Sequence, residues 1–227
     1  MAQITKSNFD FLKTLAKNNN REWFTENKSS YEKNRADLVE FSDELLELLK
    51  THDDIDTISG KKALYRIYRD VRFSKDKTPY KTHYSMSFSR ATKLLRGGYF
   101  LSIEPGNSFL GGGFWGPSSS DLKLIRTNIL EFGDELTKIL HSKQFATNFG
   151  AMEGEQLKTS PKGFDKEHKQ IKLLRYKQFL AVKKFTDKEV LSKDFAQIVN
   201  EGFKAMRPFF DYMSEALTTD ANGVPLY

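Results

Sequence analysis

The chain has 227 residues, of which 38% are hydrophobic and 29% charged, a composition typical of a globular protein. It contains no cysteine, which excludes disulfides, thiolate catalysis and cysteine-based zinc sites. No apolar run approaches the ~20 residues that cross a bilayer, and the N-terminal segment lacks the apolar stretch of a signal peptide. By elimination we expect a cytoplasmic protein with no membrane partner.

Two amphipathic helices are predicted before residue 51. Ser7 or Asn8 can cap the first one, which the Asn18–Asn20 run ends. A long helix then extends from about residue 21 to residue 50. It is indicated by apolar side chains that recur every seven residues, namely Phe24, Tyr31, Leu38 and Leu45.

The pattern changes to the alternation typical of strands between residues 63 and 115, and again near residue 180. Short turns separate most of these segments, which predicts antiparallel pairing in a meander. The predicted strands are Tyr65–Phe73, Tyr84–Phe88, Tyr99–Ile103, Ser108–Leu110 and Phe179–Val182.

Helices resume after the sheet. Ser118–Asp121 is an N-cap cluster ahead of one helix, and the last helix opens at Asp187, with Pro208 predicted to kink it or to start a new segment. Together the elements predict an α+β fold. Its antiparallel sheet has about four to six strands, packed by a long N-terminal helix and C-terminal helices, in a single domain over residues 1–227.

The net charge of +6 is concentrated in one region. Residues 61–96 contain eleven Lys or Arg residues and two Asp, a net charge of +9, which leaves −3 for the rest of the chain. Guanidinium forks and ammonium groups at this density are suited to a phosphate or a carboxylate. We therefore predict a small anionic ligand, with these candidate residues: Arg66, Arg69, Asp70, Arg72, Lys77 and Lys81.

Two other interpretations of the basic segment remain open. It could bind nucleic acid, with Tyr65, Tyr68, Tyr80 and Tyr84 as stacking surfaces. The chain could instead be an interaction or scaffold protein whose arginines are structural, since Arg69 would point with the apolar side chains of a strand and would then need a bulge or a carboxylate partner.

Catalytic groups are sparse in the sequence. His83 and Asp70 are the candidates for a general base, but Asp70 lies between two arginines that stabilise its charged form, so orienting them is its better-supported role. The four histidines lack metal-ligand spacing, so no metal is predicted. Neither a cofactor nor a reaction can be assigned from these residues.

A glycine-rich run forms the second predicted part of the site. Gly111, Gly112 and Gly113 would let backbone approach a ligand, Trp115 could stack on a ring, and the next helix offers its free N–H groups. The alternative is a glycine-rich strand end followed by an N-cap, with Trp115 buried in the core. The run lacks the ending of a nucleotide P-loop.

One long motif resembles a known family. The run RIYRDVRFSKDKTPYK at residues 66–81 is similar to the signature of an uncharacterised conserved domain of unknown function found in bacteria and fungi. Residues 111–117, 157–164 and 174–179 resemble the same family, so the resemblance spans nearly the whole chain. It implies one domain, and it implies no activity because none is established for the family.

Overall fold

The N-terminal helices lie close to the predicted positions in the computed structural model, which describes residues 2–220 and 223–226. Helix α1 (Lys6–Lys17) begins after Thr5, whose N–H donates to the Asn8 side chain at 2.7 Å, so the predicted cap at Ser7 or Asn8 is wrong by a few residues. The predicted long helix is two helices, α2 (Arg21–Glu26) and α3 (Lys28–Lys50).

Asn27 separates α2 from α3. Its side-chain amide donates to the carbonyl of Trp23 at 2.9 Å, a local bond that competes with the helical hydrogen-bond pattern. The heptad positions are nevertheless buried as predicted, because a seven-residue spacing keeps side chains on one face whether or not a single residue interrupts the helix.

Four strands form one antiparallel sheet in the order β1-β2-β3-β4, which confirms the predicted α+β fold. The strands are β1 (Tyr84–Ser89), β2 (Gly98–Ile103), β3 (Ser108–Phe114) and β4 (Phe179–Phe185). The remaining helices are α4 (Gly60–Ala63), α5 (Ser119–His141), α6 (Lys143–Phe149), α7 (Ile171–Leu174), α8 (Asp187–Val190) and α9 (Phe195–Thr218).

Two predicted elements differ in the structure. The strand Tyr65–Phe73 does not form, because after a few bonds to residues 79–85 the chain turns into a loop held by its own side chains. The last helix, predicted to open at Asp187, begins at Phe195 after the short helix α8. It continues through Pro208, so of the two predicted effects of this proline, a kink or a new segment, the new segment does not form. Both Pro208 and Lys204 are exposed, so water can satisfy the carbonyl that proline leaves without a partner.

The described chain divides into two compact units, each built from separate segments. The first comprises residues up to 88, 100–110 and 184–201. In it α3 packs with α1, α2 and α4, and the ring of Phe195 lies 5.7 Å from Phe41 and 5.1 Å from Phe185. The prediction of a single domain stays a prediction.

The second unit comprises residues 89–99, 111–183 and those from 202 onward. Helix α5 packs with α6 and α7, and the ring of Tyr99 lies 4.9 Å from Phe203 and 5.1 Å from Phe210. Across residues 2–220 and 223–226, no helix combines the length and the hydrophobicity that spanning a bilayer requires.

Candidate anion-binding site

The basic segment forms an irregular hairpin in the first unit. The N–H of Arg69 donates to the carbonyl of Pro79 at 2.9 Å, and the N–H of Lys81 donates to the carbonyl of Ile67 at 2.8 Å. These bonds close the base of a loop, residues 69–79, which we call the basic loop. The residues on either side of the loop, 65–68 and 80–85, are its stem.

Tyr80 attaches the stem to the start of α2. Its N–H donates to the side-chain oxygen of Asn19 at 3.1 Å, and the Asn19 amide donates back to the Tyr80 carbonyl at 2.9 Å. The Tyr80 ring stacks on Phe24 at a centroid distance of 4.0 Å, and Tyr68 lies opposite across an isolated antiparallel bridge. The stem is therefore held by both backbone and ring contacts.

Arg69 stabilises the basic loop from within. Its Nη1 donates to Asp76 Oδ2 at 2.6 Å, to the Thr78 carbonyl at 3.0 Å and to the Thr78 hydroxyl. The Thr78 N–H, the Arg69 guanidinium and the Thr78 hydroxyl all bind the Asp76 carboxylate, and together they lower its pKa to about 2. Arg69 meets a carboxylate, one of the two predicted outcomes, and its Nη1 donors are used within the basic loop.

Lys77 also binds the loop itself. Its ammonium group donates to the carbonyl of Val71 at 2.9 Å and to the carbonyl of Arg72 at 3.4 Å. These contacts stabilise the loop, and they occupy donors of the Lys77 ammonium group that the sequence analysis assigned to a ligand.

Arg72 and Asp70 form an exposed, two-pronged ion pair. Arg72 Nη2 lies 2.6 Å from Asp70 Oδ2, and Nε lies 2.9 Å from Oδ1. The hydrogen bonds from Arg72 lower the pKa of the Asp70 carboxyl, which makes it a poorer base. The predicted role of Asp70 in orienting an arginine agrees with this geometry.

Arg66 and Lys81 are the two cations of the hairpin stem. Arg66 is exposed and has no hydrogen bond or ion pair with any residue in the described part of the chain. The Lys81 ammonium lies 5.3 Å from the centroid of the Tyr65 ring. Burial, and next the charge of Arg66, lower the pKa of Lys81. The Lys81 ammonium thus lies beside an aromatic ring and within the electrostatic influence of a second positive charge.

An open groove of about 570 Å³ lies on the first unit, lined by residues 19–22, Val71 and residues 77–79. Arg21 and Lys77 are its cations, and Lys77 already binds backbone carbonyls. Arg66 and Lys81 are not among the groove's lining residues, so their site is a surface site next to Tyr65.

His83 follows Lys81 on the stem and is half-buried. Burial lowers the pKa of its imidazole, the charge of Lys81 acts in the same direction, and Glu104 acts in the opposite one. The ring is therefore neutral at pH 7 and can accept a proton. The Glu104 carboxylate accepts hydrogen bonds from the Asn107 side-chain amide at 2.9 Å and from the Thr82 hydroxyl at 3.3 Å. A general-base role for His83 stays a prediction.

The predicted glycine loop is part of strand β3 in the second unit. A side chain at Gly112 would come within 2.6 Å of the Phe210 ring, and one at Gly113 (φ +131°) would overlap the carbonyl of Phe179. Gly111 is buried. Close packing against neighbouring elements therefore explains Gly112 and Gly113 without a ligand.

Trp115 is 72% exposed, so the expectation of a buried core tryptophan is wrong. It directly follows β3, and its ring is accessible. Ser118 caps α5 as predicted, accepting a hydrogen bond from the N–H of Asp121 at 3.1 Å.

The eleven cations of residues 61–96 do not form one basic surface. The Arg90 side chain is fully buried and bonds to Asp211 and Ser214, while Arg96 pairs with Asp121 at 3.1 Å. Both lie in the second unit, each with a carboxylate partner. The net charge of residues 61–96 does not reveal these ion pairs, because the two aspartates lie outside that segment.

The predicted site residues thus fall into two groups. Arg66 to Lys81 lie in the first unit and Gly111 to Trp115 in the second, so a site shared by both stays a prediction. The pairing of Lys81 with Tyr65 was not predicted, because nothing in the sequence separates these residues from the other cations and rings. Within the described residues, no three His, Asp or Glu side chains form a group that could hold a metal ion.

Comparison with known proteins identifies a family. The family model described as a conserved hypothetical protein (DUF2461) matches residues 7–212. No curated protein matches the chain. No solved structure matches it either.

Proposed function

Because this chain belongs to the DUF2461 family of conserved hypothetical proteins, whose description names no activity, we propose a function from its geometry: it binds a small phosphorylated or carboxylated ligand through Arg66 and Lys81. The other cations of the basic segment have partners inside the basic loop or are exposed at its surface.

One observation carries the proposal. Burial, and next the charge of Arg66, lower the pKa of Lys81, and neither cation forms an ion pair with a described carboxylate. Arg66 also acts electrostatically on Asp70, whose carboxylate already pairs with Arg72. Adjacent like charges repel, which costs free energy unless an anion neutralises them. An arrangement of this kind is more favourable with a bound anion than without one.

The two cations supply complementary contacts. A guanidinium presents a planar fork that can bind two oxygens of a phosphate or carboxylate, and an ammonium group acts as a point charge. The Tyr65 ring lies beside Lys81, and its hydroxyl accepts a hydrogen bond from Ser87 at 3.1 Å. A ligand that carries a ring next to its charged group would gain stacking on Tyr65 as well.

Isothermal titration calorimetry with pyrophosphate and with citrate, at constant ionic strength, tests this function. We expect saturable binding to the parent protein and roughly tenfold weaker binding to Arg66→Gln and Lys81→Gln, since each loses a charged contact. Lys75→Gln is the matched control, because Lys75 is an exposed cation of the same loop. No saturable heat, or an equal loss in Lys75→Gln, contradicts the proposal.

A second candidate function is favoured by the rings of the hairpin. Phe73 is 97% exposed with the Arg72 guanidinium 6.0 Å from its ring, and Tyr65 and Tyr68 are each 49% exposed. Tyr80 and Tyr84, the other two tyrosines expected to stack, are buried and present no free ring face. Exposed rings interspersed with cations are typical of surfaces that bind single-stranded nucleic acid by stacking and charge.

Fluorescence anisotropy with a labelled single-stranded oligonucleotide separates the two candidates. Nucleic-acid binding predicts that log K falls with log salt at a slope of about −0.7 per phosphate contacted. It also predicts that Phe73→Ala weakens binding by at least roughly fivefold, from the loss of one stacking contact. An absence of binding at low salt removes this candidate and leaves the small-anion function in place.

A further inference from the structure

A small polar cavity lies between α5 and α9 in the second unit. Its charged residues are acidic, whereas those of the hairpin are mostly basic. It has a volume of about 80 Å³ and is lined by Asn128, Phe132, Glu135, Tyr212 and Glu215. The α5 residues are spaced four and three apart and the α9 residues three apart, so each set occupies one helical face. The two carboxylates belong to exposed residues and line the cavity from opposite helices.

Two buried polar atoms in this cavity have no hydrogen-bond partner in the described chain. They are the Tyr212 hydroxyl, on a residue only 6% exposed, and the Asn128 side-chain oxygen. Buried polar groups in proteins are nearly always hydrogen-bonded, because an unmade bond leaves the cost of desolvation uncompensated. Both atoms are therefore available to a group that enters the cavity.

The carboxylates act on the tyrosine. Burial raises the pKa of Tyr212, and the charges of Glu135 and Glu215 raise it further. The hydroxyl stays protonated, and its oxygen can still accept a hydrogen bond. Neither Glu135 nor Glu215 forms an ion pair with a described residue. The cavity thus offers oxygen acceptors and uncompensated negative charge, which disfavours an anion and favours a cation that donates hydrogen bonds.

An apolar cavity adjoins the polar one and shares Asn128 and Phe132 with it. It has a volume of about 240 Å³, and its other lining residues are Leu124, Ala216 and Leu226 together with the polar residues Thr127, Glu131, Thr219 and Asp220. The polar cavity is the size of a few water molecules, each of which takes about 30 Å³ in the liquid. A charged head in the polar cavity could therefore continue into a hydrocarbon chain in the apolar one.

We propose that these adjoining cavities bind a primary ammonium group on a short aliphatic chain, as in a free diamine or polyamine. The ammonium donates to the Asn128 oxygen, the Tyr212 hydroxyl and the carboxylates of Glu135 and Glu215. The chain lies against Leu124 and Phe132. This site does not depend on the anion site, and its ligand has the opposite charge.

Titration calorimetry with cadaverine and with spermidine at constant ionic strength tests this site. The parent protein should bind with a saturable heat, and Glu135→Gln and Glu215→Gln should each weaken binding roughly tenfold. Glu40→Gln, an exposed residue of α3, is the matched charge control and should bind like the parent. Absence of saturable binding to the parent, or the same loss in Glu40→Gln, overturns the proposal.

Tyr212→Phe distinguishes a ligand site from a structural one. If the hydroxyl serves a ligand, its removal weakens amine binding and leaves the melting temperature of the free protein unchanged or higher, because an unpartnered buried group is lost. A lower melting temperature with unchanged amine affinity means that the hydroxyl is structural, and it overturns the proposal.

Two further titrations identify the ligand class. Binding of Ca²⁺ or Mg²⁺ in place of the amines overturns the assignment to an ammonium group. Binding of Nα-acetyl-lysine amide more tightly than cadaverine supports the same ammonium chemistry, and it indicates a lysine side chain of a protein as the natural source.

Discussion

The ammonium group of Lys81 lies 5.3 Å from the centroid of the Tyr65 ring, on a stem that also brings Arg66 close enough to lower the pKa of Lys81. This relationship depends on the hairpin, because the N–H of Lys81 bonds to the carbonyl of Ile67 and places the two stem segments side by side. Arg69 and Lys77, by contrast, use their donors to hold the basic loop.

The first prediction separates a loop-stabilising arginine from an exposed one. Arg69→Ala removes hydrogen bonds to Asp76 and Thr78 from a side chain that is 26% exposed, and it should lower the free energy of unfolding by about 1–3 kcal/mol. Arg72→Ala should leave the melting temperature unchanged within error, because its partner Asp70 is solvated. Urea denaturation of both variants measures the difference, and equal effects would contradict the assignment.

The second prediction concerns pH. The pKa of Asp76 is about 2 in the folded protein, below the ~3.9 of an unfolded aspartate. Its ionised form therefore stabilises the fold fully above about pH 4, and this contribution is lost as the pH falls through about 2. The stability difference between the parent and Asp76→Asn should be constant from pH 7 to 5 and shrink below pH 4. A difference that is flat down to pH 2 would show that the Asp76 pKa is not lowered.

The third prediction tests the structural explanation of the glycine run. Gly113→Ala places a methyl group against the carbonyl of Phe179 at a backbone φ of +131°, and it should cost about 3 kcal/mol or more. Gly116→Ala is the control, since nothing lies within 4 Å of a side chain there. Denaturation midpoints compare the two. An unchanged denaturation midpoint for Gly113→Ala would contradict this explanation and favour the alternative, in which the glycine lets the backbone approach a ligand.

The fourth prediction concerns the buried arginine of the second unit. Arg90→Ala removes a fully buried guanidinium bonded to Ser214 and to the half-exposed Asp211, and it should lower the free energy of unfolding by about 1–3 kcal/mol. Lys93→Ala, at an exposed position of the same segment, should be neutral. If the two variants unfold at the same denaturant concentration, Arg90 contributes nothing to stability, contrary to its burial.

The sequence predicts best where burial follows a local period. The seven-residue spacing of Phe24, Tyr31 and Leu38 reports one buried helix face, and the meander follows from short turns between alternating segments. The alternation of Tyr65 to Phe73 was misleading. It could not show that Arg69 would bond across the loop to Asp76, or that Phe73 would be 97% exposed.

The candidate site was only partly predictable for the same reason. The density of cations indicates an anion, but it does not show which cations already have partners. Arg90 and Asp211 are far apart in sequence, and so are Asn128 and Tyr212. Contacts of this kind depend on tertiary packing, which residue spacing along the chain does not encode.

The central claim is that Arg66 and Lys81 together bind an anion, and the pKa of the Lys81 ammonium, followed by NMR, tests it most directly. In the free protein this pKa should be lower than that of an ordinary lysine, and Arg66→Gln should raise it by removing a neighbouring positive charge. Saturating pyrophosphate should raise it in the parent, because a bound anion favours the protonated form. A Lys81 pKa that is unchanged by pyrophosphate and by Arg66→Gln would contradict the account.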